Sequence, residues 1–148
     1  MKQLILSVGL VIASLFSLQA QDGEETVTPN PVNPNAPKFS FETEVLDYGT
    51  IEYGSDGNRE FKFTNVGKEP LIITNAKGSC GCTTPDWPRD PIMPGESAVI
   101  KVHYDTKRPG SFTKTVTLTS NAVTTMKVLK IKGFVNAKPA EGETPAAQ

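Results

Sequence analysis

The chain has 148 residues, 37% hydrophobic and 21% charged, with 12 Gly, 12 Pro, 2 Cys and 1 His. That length suits one domain, and a formal net charge of −1 offers no electrostatic draw toward nucleic acid. Two cysteines are too few for a disulfide-dense framework or a four-thiolate zinc site. One histidine with no acid/base set around it argues against hydrolytic machinery and for a protein that is not an enzyme.

Residues 1–20 read as a secretory signal peptide: Lys2 as the positive start, an apolar run from Leu4 to Leu18, and the small Ala20 ahead of polar residues. The apolar run is short for a membrane span and lacks a positive flank on its far side, so no integral membrane segment is expected after cleavage. The chain is therefore expected to be exported, to the periplasm or beyond. Residues 21–37 are acidic and then rich in Asn and Pro, with Pro29, Pro31, Pro34 and Pro37. Proline lacks a backbone donor and resists both helix and ladder, so this stretch reads as an extended linker. Residues 138–148 are poor in apolar side chains and read as a disordered tail. The segment between, 38–137, is mildly basic and holds the folded domain.

That segment alternates with a period of two. Phe39 and Phe41 flank Ser40, and Phe61 and Phe63 flank Lys62. Ile100, Val102 and Tyr104 alternate with Lys101 and His103, Val116 and Leu118 with threonines, Leu129 and Ile131 with lysines. Gly, Asn and Pro clusters separate the runs, as at Asn65-Val66-Gly67 and Met93-Pro94-Gly95. The pattern predicts about seven strands, near 39–43, 45–52, 58–65, 70–78, 96–105, 111–119 and 126–135. It makes the protein all-β, an immunoglobulin-like β-sandwich, with a small closed barrel as the other arrangement. The expected core is Phe41, Leu46, Phe61, Phe63, Leu71, Ile73, Ile100, Val102, Phe112, Val116, Leu118, Leu129, Ile131 and Phe134. Edge strands of such a sandwich can pair with a partner strand. Lys127, Lys130 and Lys132 would discourage casual pairing on the last strand.

The chemically distinctive unit is Cys80-Gly81-Cys82, just past the fourth predicted strand. Three readings are open. The cysteines form a disulfide, favoured by export to an oxidising compartment and by the bend Gly81 permits. Such a ring closes little chain and so adds little stability, but it is suited to thiol-redox exchange. Alternatively they bind copper or zinc as paired thiolates, with Met93 or His103 as further soft or imidazole ligands. Or they are two small buried hydrophobes without chemistry. A thioredoxin-type site is not expected, because its Cys-x-x-Cys opens a helix within a βαβ unit. The stretch Thr83–Pro94 carries Pro85, Pro88, Pro91 and Pro94 and is expected to lack regular structure. It reads either as an interaction loop presenting Trp87, Arg89 and Asp90 or as a stiff crossover with Trp87 lidding the core.

Several short runs carry a resemblance: FKFTNVG at 61–67, PLII at 70–73, CGCT at 80–83, IMPG at 92–95, IKVHY at 100–104, GSF at 110–112 and IKGFV at 131–135. In this order the chain resembles the bacterial family called domain of unknown function 1573, over about residues 40–136. Members of that family are exported proteins abundant in Bacteroidetes. The layout is also similar to immunoglobulin-like modules of the Hydin and major-sperm-protein type. The resemblance implies a sandwich of seven or eight strands with a binding or structural role and no catalytic residue. Beside it, the signal peptide, the strand pattern and the lack of a catalytic set point to a module that binds an envelope or extracellular partner, with no cofactor expected unless the cysteines take copper or zinc.

Overall fold

A computed structural model of the chain describes residues 33–140. The signal peptide and most of the linker and tail read from the sequence lie outside those residues. Eight strands follow in order: β1 (Phe39–Phe41), β2 (Val45–Ile51), β3 (Asn58–Asn65), β4 (Ile73–Gly78), β5 (Thr83–Asp86), β6 (Ser97–Tyr104), β7 (Gly110–Ser120) and β8 (Met126–Val135). They form two four-stranded sheets, ordered β1-β3-β6-β5 and β2-β8-β7-β4. The protein is an immunoglobulin-like sandwich, not a closed barrel. Among the described residues no helix is long and apolar enough to cross a membrane.

The period-two alternation builds the core directly. Phe61, Phe63, Ile100 and Val102 from one sheet meet Val116, Leu118, Leu129 and Ile131 from the other, all fully buried. Each such side chain stabilises the fold by about 1.5–3 kcal/mol through burial alone. The β7–β8 hairpin runs in continuous register from Gly110 opposite Val135 to Thr119 opposite Met126. Tyr48, Tyr104 and Phe112 stack at one end of the core, the last two with ring centroids 3.9 Å apart. Gly133 makes room for this stack, since a Cβ there would lie 2.8 Å from the Phe112 ring.

Several expectations need correction. Phe134 is exposed, and Val135 takes the core position. With Leu129 and Ile131 facing in, the pleat turns every even-numbered neighbour outward, Phe134 included. The last strand is not an edge, because β8 is flanked by β7 and, in parallel, by β2. Its lysines therefore cannot guard an edge. The fourth predicted strand starts late, at Ile73, with Leu71 joined only to Ile92 by an isolated bridge.

The end of the proline-rich stretch is also docked on the domain rather than extended away from it. Asn35 accepts a hydrogen bond from the Lys68 N–H, Pro37 accepts one from the Val123 N–H, and Pro37 is buried.

Candidate functional site

The Cys-Gly-Cys unit occupies the corner where the chain leaves one sheet for the other. β4 belongs to the β2-β8-β7-β4 sheet and β5 to its opposite, so residues 79–82 make the whole crossing. Gly78 permits it, because a Cβ there would sit 2.0 Å from the Thr83 carbonyl oxygen. Backbone hydrogen bonds pin both sides. Ser79 N–H donates to the Thr115 carbonyl at 2.8 Å, Thr83 N–H to the Cys80 carbonyl at 3.2 Å, and Asp105 N–H to the Cys82 carbonyl at 2.9 Å.

Within this corner Cys80 and Cys82 are joined by a disulfide, with their Cα atoms 5.2 Å apart. The two sulfurs differ in surroundings. Cys82 is buried in the core, 6% exposed, whereas Cys80 is only partly buried against it. Gly81, between them, faces open space. The buried Thr83 places its hydroxyl 3.6 Å from the Cys80 sulfur and 3.8 Å from the Cys82 sulfur. Asp105, opposite Cys82, accepts hydrogen bonds from the Lys107 N–H and from Arg108. These hold its carboxyl below the usual carboxylate range, the Lys107 N–H most strongly.

β5 corrects the expectation that Thr83–Pro94 lacks regular structure. Asp105 bonds to Cys82, so hydrogen-bonded positions along β5 fall at 82 and 84. Pro85, opposite Val102, falls between them on an edge strand, where its missing N–H removes nothing from the ladder. Beyond β5 the chain is anchored too. Trp87 donates its indole N–H to the Ile73 carbonyl at 3.2 Å, tying the end of β5 back to β4 across the sheets. The Arg89 guanidinium lies 3.6 Å over the Trp87 ring and 4.0 Å from the Asp86 carboxylate. Arg89 and Asp90 are exposed, while Trp87 is half-buried.

The other residues singled out from the sequence lie elsewhere. His103 is on the outward face of β6, its Nδ1 3.1 Å from the Asn58 side chain. Met93 is exposed at the turn into β6. Among the described residues no three His, Cys, Asp or Glu side chains group as metal ligands would. Two residues carry more than their sequence signal indicates. Thr83 bridges the sulfurs, and its only mark in the sequence is its place directly after the second cysteine. Asn65 reads in the sequence merely as part of a turn. It is fully buried and its side chain makes four hydrogen bonds. It donates to the carbonyls of Glu69 (2.8 Å) and Ile92 (3.0 Å), and accepts from the N–H groups of Lys38 (3.3 Å) and Gly67 (3.0 Å).

The family described as "Protein of unknown function (DUF1573)" matches residues 39–135, the span from the start of β1 to the end of β8. The chain belongs to this family. No curated protein matches it. Among solved structures it is similar to a protein of unknown function from Porphyromonas gingivalis W83, at 19% identity and TM-score 0.60, covering 68% of this chain and 48% of that one. The DUF1573 chain thus spans about half the length of that relative. It is also similar to the ASH/PapD-like domain 7 of human CEP192, at 8% identity and TM-score 0.58, covering 71% of this chain and 90% of that one. A third likeness is to the CsuC–CsuE chaperone–tip adhesion subunit pre-assembly complex of Acinetobacter baumannii, at 10% identity and TM-score 0.52, covering 67% and 52%. At these identities the likeness is one of fold.

Proposed function

We propose that this DUF1573 protein is an exported, non-enzymatic binding module of the cell envelope or extracellular space that takes a partner strand along β2. The observation that carries this reading is the free edge. Of the four edge strands, β2 is the longest at seven residues, against three, four and six in β1, β5 and β4. Its one strand neighbour is β8, and among the described residues no backbone hydrogen bond joins its other side to the rest of the domain. A strand edge with no strand beside it is a template for an added strand, although here Thr43 bonds the N–H and C=O of Val45 and Asp47 accepts from the Gly49 N–H, local bonds that a partner would have to displace. The bulge between Asp47 and Thr50 bends that edge, so only a partner with a matching bend pairs along its full length. Export is supported by the signal-like residues 1–20.

A photoreactive amino acid placed at Val45 or Thr50, in cells exporting the full chain, tests this. A partner adduct is expected from these positions and not from Lys62, which faces outward from the opposite sheet. Absence of adducts from β2, or equal adducts from Lys62, would overturn the reading.

A further inference from the structure

We propose that the Cys80–Cys82 disulfide is a site of thiol–disulfide exchange with low-molecular-weight aliphatic thiols, entered at Cys80 and not at Cys82. The proposal is independent of strand binding at β2. It rests on the unequal setting of two sulfurs that are only two residues apart. Cys82 is buried in the core at the entry to β5, 6% exposed, while Cys80 is only partly buried beside the unobstructed Gly81. Exchange requires a thiolate to reach one sulfur and the other to leave, so access decides which sulfur is attacked. The buried Thr83 hydroxyl lies within hydrogen-bonding reach of the departing sulfur and stabilises negative charge there.

The thiolate of an incoming thiol attacks the Cys80 sulfur. A bond forms between those two sulfurs, the Cys80–Cys82 bond breaks, and the electron pair leaves on the Cys82 sulfur. The Cys82 thiolate accepts the Thr83 hydrogen bond and then a proton from water. A second thiol attacks the small-molecule sulfur of the mixed disulfide, releasing the oxidised small disulfide and the Cys80 thiol. Two thiols are oxidised and one protein disulfide is reduced. Run backward, the same steps oxidise the protein at the expense of a small disulfide.

Glutathione serves as the probe on the full chain. With oxidised glutathione, Cys82→Ser (free Cys80) is expected to form its mixed disulfide at least about tenfold faster than Cys80→Ser (free Cys82) while folded, because Cys82 must wait for local opening. In urea the two rates should converge. Thr83→Val should slow reduction of the wild-type disulfide by reduced glutathione, because the hydroxyl within reach of both sulfurs is lost.

The wild-type chain covers the case in which a serine variant does not fold. Its disulfide should be reduced by glutathione while emission from Trp87, the sole tryptophan, stays native, and acid-quenched intermediates should carry glutathione on Cys80. Equal rates for the two folded variants, adducts on Cys82, or reduction only on unfolding would overturn the proposal.

Discussion

Two corners hold the sandwich together, and they do so by opposite means. At the Asn65 corner a single buried amide joins β3, the entry to β1, the turn at Gly67 and the strand-like stretch at Ile92. Its backbone adds two more bonds, donating to Glu96 and accepting from Gly95. Every polar group of the residue is satisfied away from water, so the corner is rigid and chemically inert. At the Cys80–Cys82 corner the tie is covalent, but it links residues only two apart in the chain, and one sulfur remains partly open. Hydrogen bonds therefore carry the mechanical role where the sequence is plain, and the covalent link sits where the domain retains reactivity.

The sharpest way to break this contrast is Asn65→Leu. Four backbone groups lose their side-chain partners in a buried site, and a loss of about 3 kcal/mol is expected in urea unfolding. Gly78→Ala attacks the other corner through its backbone. The new Cβ would meet the Thr83 carbonyl, and a loss of about 2 kcal/mol is expected, with altered Trp87 emission as β5 shifts. Removing the disulfide itself, as Cys80→Ser with Cys82→Ser, should cost less, about 1.5 kcal/mol, because closing so short a loop constrains the unfolded chain little. A disulfide effect as large as that of Asn65→Leu would erase the distinction between the corners.

Arg89→Ala should cost about 0.5 kcal/mol by the same measurement, since its contacts with Trp87 and Asp86 lie at the surface. Tyr48 provides a control that touches neither corner and whose titration is confined to alkaline pH. Burial pushes its pKa up to about 12 from an ordinary 10.0, partly offset by the nearby Arg59 guanidinium. The folded state therefore favours the neutral phenol. Stability is full below pH 10 and falls as pH rises from there toward 12. Tyr48→Phe should flatten that alkaline decline in a pH series of unfolding midpoints.

Much of the fold is legible in the sequence because alternation is local. Phe61 and Phe63, Ile100 and Val102, Val116 and Leu118 announce their buried face by spacing alone, since a pleated strand turns successive side chains to opposite sides. Phe134 goes astray when its hydrophobicity is weighed above that same spacing. The disulfide is one of three readings of Cys80 and Cys82, because neighbouring cysteines can pair, bind metal or simply pack. What distinguishes the two sulfurs is not legible there, for it depends on how completely the assembled core buries each of them.

The amino-acid sequence alone therefore determined an all-β domain, its inward-facing residues, most strand positions and the place of its one unusual chemistry. The tertiary structure decided whatever depends on a neighbour distant in the chain. It placed β8 between β7 and β2 and so left β2 open. It made Pro85 acceptable in a strand by giving it an unbonded edge position, and it buried Asn65 by surrounding it with carbonyls and N–H groups from other segments. Pleat periodicity is a property of a few consecutive residues; strand order and the partners of a buried amide are properties of the assembled sheets.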